Sequence, residues 1–216
     1  MIQVHKLTFN PFQENTYVLS DETKECIIID PGCYEKVERD HLQQFIEGNG
    51  LKPVKLVNTH CHIDHVLGNY FVSEQWGLEL WMNELDIPTL NAIQNYADLY
   101  GLGGYQLSPQ PSHFLNGGDK LTFGNSSLDV IFGPGHAPGH LAFYSAEDKF
   151  VINGDILFQG SFGRVDLPGG DFATLKKTIL EKMFALPDDT VVYTGHGAET
   201  TIGTEKESNP IRWMEL

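Results

Sequence analysis

The stretch Thr59-His60-Cys61-His62-Ile63-Asp64-His65 places three histidines and an aspartate within six positions of the chain. It directly follows the apolar run 54–59, which predicts a buried strand that ends where the histidines begin. In an extended segment, side chains two positions apart point the same way. His60 and His62 can therefore reach one metal ion, while Cys61 points elsewhere.

Side chains of metal-ligating type also follow three later predicted strands, at 128–132, 150–152 and 190–193. The segments that follow these strands are Gly133-Pro134-Gly135-His136, Asn153-Gly154-Asp155 and Thr194-Gly195-His196-Gly197. Their glycines allow backbone and metal to approach closely. Since a metal site needs three or four protein ligands, four strand ends meeting at one rim predict a metal centre. Asp64 and His65, which open the next predicted helix, aim at a neighbouring point.

The chain has 216 residues, 41% apolar and 20% charged, which fits one globular domain over 1–216. Besides the three strands above, periodicity predicts strands at 2–9, 15–20, 26–30, 54–59, 78–82, 120–123 and 141–144. It predicts a helix over 34–48. Further helices are predicted over 64–76, 83–100 and 171–185, the last with Asp171 as its N-cap. Pro88 either breaks the second of these helices or lies in its first turn. This order suits an α/β (α+β) fold of two sheets packed face to face, with helices outside.

Charge and cysteine content narrow the functional classes. A formal net charge of −15 repels phosphate backbones and disfavours a nucleic-acid partner. The three cysteines, Cys26, Cys33 and Cys61, and the lack of a signal-peptide pattern predict reduced thiols in the cytoplasm. No apolar run approaches the roughly 18 residues of a membrane span, so no membrane association is expected.

The complete pattern resembles the metallo-β-lactamase superfamily, and within it the glyoxalase II-like, short bacterial hydroxyacylglutathione hydrolase type. The resemblance covers nearly the whole chain. Its motifs are Asp30-Pro31-Gly32, residues 59–65, Pro134 to His140, Gly154 to Phe158, Gly163 to Asp166 and Gly195-His196-Gly197. It implies a four-layer αββα sandwich.

The resemblance also implies the ligand set. His60, His62 and His136 would hold one metal ion, and Asp64, His65 and His196 a second. Asp155 would bridge the two ions together with a hydroxide, so that Asp64 and Asp155 count as catalytic residues. The ions would be divalent, with zinc expected and iron or manganese also compatible with such ligands.

The function implied is that of a dinuclear metal-dependent hydrolase acting on a small-molecule thioester. Two ions about 3.5–4 Å apart lower the pKa of a bridging water, so that hydroxide exists at neutral pH. A thiolate needs no strong general acid to leave, because thiols are acidic compared with alcohols.

Four further residues are expected around the centre. Asp30 ends a buried strand, where it is either a turn-former before Pro31 or a hydrogen-bond partner of a ligand histidine. His140 is expected behind the ligands and not among them. Arg164 and Asp166 lie where relatives place substrate contacts, although the same pair also suits a surface salt bridge.

The chain departs from glyoxalase II proper after His196, where the 20 residues that follow are too few for the glutathione-binding helical domain of that enzyme, so this domain is not expected here. Ala198 also stands where relatives place a tyrosine. A persulfide dioxygenase-like oxidoreductase with one iron in the first site is therefore the alternative, since such relatives keep the same histidines. A β-lactamase, a nuclease and a non-catalytic binding module are less well supported by this ligand set and charge.

Overall fold

Alternation along the buried strands divides their side chains between two different cores. In the computed structural model, which describes residues 1–215, Ile27 and Ile29 pack between two sheets, while Ile28 faces outward under a helical layer. On the opposite sheet, Ile152 enters the same central core and its neighbour Val151 faces the other way. This period-two division gives the molecule one core between the sheets and one on each outer face.

The first sheet contains the strands β1 (Gln3–Phe9), β2 (Glu14–Ser20), β3 (Glu25–Ile29), β4 (Lys52–Val57), β5 (Leu80–Met82) and β6 (His113–Phe114). They lie in the order in which they occur along the chain. The first three pair antiparallel, and β3 to β6 pair parallel.

The remaining strands are β7 (Lys120–Phe123), β8 (Ser126–Phe132), β9 (Leu141–Ser145), β10 (Phe150–Gly154), β11 (Leu157–Phe158), β12 (Ser161–Phe162), β13 (Val191–Thr194) and β14 (Thr200–Thr201). The second sheet has the order β14-β13-β10-β9-β8-β7, and β11 and β12 form a separate hairpin. Because β10 and β13 are parallel neighbours, the segments that follow them start side by side.

The helices are α1 (Lys36–Gly48), α2 (Ile63–Val66), α3 (Asn69–Trp76), α4 (Ile87–Ala92), α5 (Phe172–Thr178) and α6 (Ile202–Ser208). Leu42 and Ile46 of α1 pack on the outer face of the first sheet, and Leu175 of α5 and Ile202 of α6 on that of the second. The predicted αββα sandwich is therefore confirmed.

Several predicted helices differ in the structure. The predicted helix 64–76 is divided at Gly68, whose N–H donates to Pro31 O over 2.7 Å and where a Cβ would lie 2.5 Å from Cys33 Sγ. The predicted helix 83–100 contains only α4 and three short 3-10 turns, because Pro88 lacks an N–H and fits only the first turn of a helix.

The predicted helix 171–185 begins as expected at its N-cap, where Asp171 Oδ1 accepts the Thr174 N–H over 2.8 Å. It ends as an α-helix at Thr178 and continues as a π-helical segment over Ile179–Met183. No periodic pattern in the sequence predicts strands β6 and β14 or helix α6. The predicted domain limit at residue 216 lies outside the described residues.

Within residues 1–215, no helix combines the length and the apolar composition that crossing a membrane requires.

Candidate metal centre

Two clusters of ligand-type side chains lie at one rim of the sandwich. The first site consists of His60, His62 and His136, and its donor atoms approach closely: His136 Nε2 lies 3.2 Å from His60 Nε2 and 2.9 Å from His62 Nδ1. Two donors that each lie about 2.0–2.1 Å from a tetrahedral ion are themselves about 3.3 Å apart. The spacing therefore fits three ligands of one ion.

The second site consists of Asp64, His65 and His196. Asp64 Oδ2 lies 3.1 Å from His196 Nε2 and 3.7 Å from His65 Nε2. Asp64 and His65 belong to the short helix α2, which starts directly after His62. That turn of helix directs them away from the first site and toward the neighbouring point that the sequence predicts.

The Asp155 carboxylate lies between the two sites. Its Oδ1 is 3.6 Å from His65 Nε2, and its Oδ2 is 3.6 Å from His136 Nε2 and 3.5 Å from His196 Nε2. One oxygen thus faces a second-site ligand and the other faces ligands of both sites. The structure brings all seven predicted ligand residues together, in the grouping that the resemblance implies.

Strand ends position these residues. His60 follows β4, His136 follows β8, Asp155 follows β10 and His196 follows β13. The two sheets are joined at this rim, because the Leu141 N–H donates to Thr59 O over 2.8 Å. The ligands are consequently fixed to both halves of the sandwich.

Hydrogen bonds behind the ligands decide which ring nitrogen faces inward. Nδ1 of His136 lies 2.7 Å from Arg164 O, and Nδ1 of His196 lies 3.1 Å from Phe12 O. A carbonyl oxygen only accepts, so each Nδ1 carries the proton and each Nε2 presents its lone pair to the centre. For His62 the order is reversed, since its Nδ1 faces the cluster.

Asp30 has the position that was expected of a residue behind a ligand. Its Oδ1 accepts the Thr59 N–H over 2.7 Å, and its Oδ2 accepts the Thr59 hydroxyl over 2.5 Å and lies 3.1 Å from His65 Nδ1. Thr59 Oγ1 lies 3.0 Å from His60 Nδ1. One buried carboxylate thereby contacts a ligand of the second site directly and one of the first site through a hydroxyl.

His140 lies behind the centre. Its Nε2 accepts the Asp155 N–H over 3.0 Å, and its ring stacks on that of His60 with centroids 4.6 Å apart. The backbone N–H of Asp155 occupies the nitrogen that would otherwise bind metal. His140 therefore orients the segment that carries Asp155.

Arg164 and Asp166 form a two-bond ion pair, with Nε–Oδ1 and Nη2–Oδ2 distances of 2.7 Å. Both side chains are exposed, as a surface salt bridge would be. The Arg164 carbonyl nonetheless holds His136, so the segment contributes to the centre through its backbone. A substrate contact by these two side chains stays a prediction.

Two buried acidic residues near the centre were missed by the sequence reasoning. Glu14 is fully buried, and its Oε1 lies 3.9 Å from His65 Nδ1. Asp86 is 1% exposed and accepts the backbone N–H groups of Cys61 and Gly139. For Glu14, the signal in the sequence was a glutamate at the start of an apolar strand. Asp86 had no such signal, because in the sequence it resembles an ordinary acidic residue in the first turn of a helix.

Close approach at this rim depends on glycine. A Cβ at Gly195 would lie 2.0 Å from Asp155 Oδ1 and 2.8 Å from the His65 ring. Gly154 has a φ of +53°, and a Cβ there would lie 2.6 Å from Thr59 Oγ1. The glycines that flank the predicted ligands thus have the role that the sequence suggests.

The donor set fits metal ions. Among residues 1–215, the buried atoms His65 Nε2 and Asp155 Oδ1 have no hydrogen-bond partner. Buried polar atoms in folded proteins nearly always have one. A cation between them would satisfy both, since one is an imidazole nitrogen and the other a carboxylate oxygen.

The two sites differ in how tightly their histidines hold protons in the metal-free chain. Burial lowers the pKa of His60 well below its usual value and that of His62 to about 3. Burial would also lower the pKa values of His65 and His196, but the neighbouring carboxylates of Asp155 and Asp64 raise both. First-site histidines are therefore neutral at a pH at which second-site histidines are protonated.

We expect metal binding at the second site to weaken first as the pH falls. An ion must displace the protons of His65 and His196, so each protonated histidine lowers the apparent affinity by about tenfold per pH unit below its raised pKa. The first site keeps its affinity to lower pH, because its histidines are already neutral. Titrating metal-free protein with Zn²⁺ or Co²⁺ at several pH values measures the affinity of each site. The same pH dependence for both affinities would contradict the expectation.

Comparison with known proteins agrees with this geometry. A family model of the metallo-β-lactamase superfamily matches residues 9–196. The hydroxyacylglutathione hydrolase GloC of Haemophilus influenzae is 38% identical over 92% of this chain and 92% of its own length. The human mitochondrial persulfide dioxygenase ETHE1 is 32% identical over 90% of this chain and 70% of its own length.

Solved structures show the same fold. TTHA1623, crystallised in a di-iron-bound form, superposes with a TM-score of 0.86 at 37% identity, covering 96% of this chain and 99% of that one. BLEG-1, a B3 metallo-β-lactamase, also superposes with a TM-score of 0.86, at 31% identity, covering 99% of this chain and 100% of that one. With the family model covering most of the chain, the protein belongs to the metallo-β-lactamase superfamily.

Proposed function

We propose that the protein is a dinuclear metal-dependent hydrolase that cleaves small-molecule thioesters, of the hydroxyacylglutathione hydrolase type. The observation that carries this proposal is the position of the Asp155 carboxylate, whose oxygens lie 3.5–3.6 Å from ligand nitrogens of both sites. A carboxylate in that position suits a bridge between two ions. GloC, at 38% identity, supports the reaction class.

The division of labour follows from the donor set. A pair of divalent ions, when bound, supplies a water of lowered pKa and a Lewis acid for the substrate carbonyl. Asp155 directs its carboxylate oxygens into the gap between the sites and Asp64 directs one into the second site, where they would orient the attacking water. The histidine rings donate hydrogen bonds to Arg164 O, Phe12 O and Asp30, which keep the rings in place so that little reorganisation is needed during the reaction.

A thiolate leaving group suits these residues. The histidines at the centre already have other roles, because five of them face the two metal sites and His140 accepts the Asp155 N–H. None of these six is free to protonate a leaving group. A thiol with a pKa of about 8.5 departs as the thiolate without such help, whereas an alcohol would need it.

The substrate is proposed to approach beside His196, the most exposed of the histidine ligands at 28% side-chain exposure. The Phe158 ring lies 6.2 Å from the His196 ring, and Phe12, whose carbonyl holds His196, packs 6.2 Å from Tyr100. These rings offer an apolar surface for part of the thioester. Zinc is the proposed metal, and iron is the alternative, since TTHA1623 was crystallised in a di-iron-bound form.

The direct test is hydrolysis of S-lactoylglutathione by purified protein whose bound metal has been counted. Turnover with two ions per chain is the expected result. Hydrolysis of a second thioester that contains a different thiol shows whether the protein recognises glutathione or only cleaves the thioester bond. No hydrolysis of any thioester by a chain that holds two ions would overturn the proposal.

Persulfide oxidation is the second candidate. It is favoured by the 32% identity to ETHE1 and by the three histidines of the first site, which suffice for one iron with open positions. Oxygen uptake with glutathione persulfide, by a chain that holds one iron and hydrolyses no thioester, would support this activity in place of the first.

A further inference from the structure

Asp86 contacts two loops that come from different halves of the chain. Its Oδ2 accepts the Cys61 N–H over 2.9 Å, and its Oδ1 accepts the Gly139 N–H over 2.6 Å. Cys61 lies between two ligands of the first site, His60 and His62. Gly139 follows the third ligand in the loop that connects β8 to β9.

The local structure directs the Asp86 side chain inward. Asp86 ends a 3-10 turn that follows β5, and Asn83 caps this turn by accepting the Leu85 N–H over 3.1 Å. The Asp86 N–H donates to Asn83 O over 3.2 Å, which leaves the carboxylate to point into the molecule. It is 1% exposed.

The contact with the second loop is close on both sides. A Cβ at Gly139 would lie 2.8 Å from Asp86 N and 2.9 Å from Asp86 Oδ1. The glycine therefore lets the backbone reach the carboxylate. Next to it, His140 stacks on His60 and accepts the Asp155 N–H, so this loop also contacts the segment that bridges the sites.

We propose that Asp86 is a positioning residue for the first metal site, which fixes the two loops that carry His60, His62 and His136 relative to each other. The proposal rests on the metal centre proposed above. Each carboxylate oxygen accepts from a different loop, so the pair of hydrogen bonds sets the separation of the loops. Among residues 1–215, Asp86 makes no hydrogen bond to a ligand side chain and acts through the backbone N–H groups of Cys61 and Gly139.

The second site has supports of its own. Asp30 holds the His65 ring, Asn10 Nδ2 donates to Asp64 O over 3.0 Å, and Phe12 O holds His196. Loss of the Asp86 carboxylate should thus affect the first site selectively.

The test uses Asp86→Asn, whose amide has the same shape but only one accepting oxygen. One backbone N–H must then face an NH₂ group, so one loop loses its bond. Two backgrounds isolate the sites: His196→Ala leaves the first site to be measured, and His62→Ala leaves the second. Zn²⁺ affinity is measured in each background by competition with a chromophoric chelator.

We expect Asp86→Asn to weaken Zn²⁺ binding about 10–100-fold in the His196→Ala background, the range found for partners of metal ligands. Zn²⁺ binding in the His62→Ala background should change by no more than about twofold, as expected for substitutions at separate, independent sites. Asp21→Asn is the matched control, because buried Asp21 also accepts backbone N–H groups from two loops, those of Thr23 and Asn125.

The outcomes separate the two proposals. An equal loss of Zn²⁺ affinity in both backgrounds, or the same loss of affinity with Asp21→Asn, would show general destabilisation and overturn the role of Asp86. Unchanged binding in both would overturn it as well. A parent chain that binds no Zn²⁺ at all would instead overturn the proposed metal centre. If Asp86→Asn fails to fold in the double variants, the single variant is tested with Co²⁺, where loss of one of two absorption bands is expected and loss of neither or both contradicts the proposal.

Discussion

Replacing Asp155 with asparagine should abolish most thioester hydrolysis, with a loss of at least about 10²–10³-fold in kcat, the scale found when one preorganised charge-stabilising group is removed. Burial alone would raise the pKa of Asp155, but the positive charge of His65 and its hydrogen bond hold that pKa below the usual value. The carboxylate is thus ionised and placed between both ligand clusters. Asparagine keeps the shape but offers one neutral oxygen, which is a poor bridge.

Counting the bound metal ions shows whether Asp155 bridges two ions or affects activity without holding both of them. We expect the Asp155→Asn variant to hold one ion or none where the parent holds two, measured by plasma mass spectrometry after desalting. Asp189→Asn is the control, since Asp189 is an exposed partner of Lys149 that lies outside the centre. Full activity or two tightly held ions in the Asp155 variant would contradict the bridging role.

Removing the Asp30 carboxylate should lower both the free energy of unfolding and the affinity for metal. Asp30→Ala leaves the buried Thr59 N–H and the His65 ring without their acceptor, at about 1–3 kcal/mol for each unsatisfied group. The backbone adds to this, because Asp30 has a φ of +50°, which aspartate and asparagine tolerate better than alanine. We expect a loss of about 2–5 kcal/mol in the free energy of unfolding of the metal-free protein.

Asp30→Asn separates these contributions. It keeps the tolerance for positive φ and one acceptor, so its unfolding free energy should fall by less than that of Asp30→Ala. Both variants should bind metal about 10–100-fold more weakly, as found for other residues that hold metal ligands. Urea unfolding and chelator competition measure the two effects, and Asp21→Ala serves as a buried carboxylate far from the metal centre. A stability loss without any change in metal affinity would mean that Asp30 is only a turn-forming residue.

The sequence predicted the site better than it predicted the local structure around it. The ligands were identifiable because each follows a buried strand, and the alternation of Ile27, Ile28 and Ile29 already places the adjacent strand between two cores. Grouping of the ligands into two sites came from the family resemblance. The geometry agrees with that grouping.

What the sequence could not supply are contacts made across the fold. Asp86 is invisible because its two partners, Cys61 and Gly139, are distant in the chain and offer only backbone N–H groups. The helix expected over 83–100 was interrupted for a local reason instead, since Pro88 lies in the first turn of α4 and cannot continue a helix from residue 83. Arg164 shows the converse, because its backbone carbonyl reaches a ligand while its conspicuous side chain pairs with Asp166.

The division of the ligands between the two sheets bears on the order of assembly. His60 and His136 are 76 positions apart, and His196 comes only after β13, the strand that lies beside β10. An ion bound here acts as a cross-link that closes long chain loops, as a disulfide would. During synthesis, the second site cannot capture an ion before residue 196 has joined the sheet. An ion at the second site would therefore bind only after most of the fold has formed, and it would stabilise that fold by closing the long chain segment between Asp64 and His196.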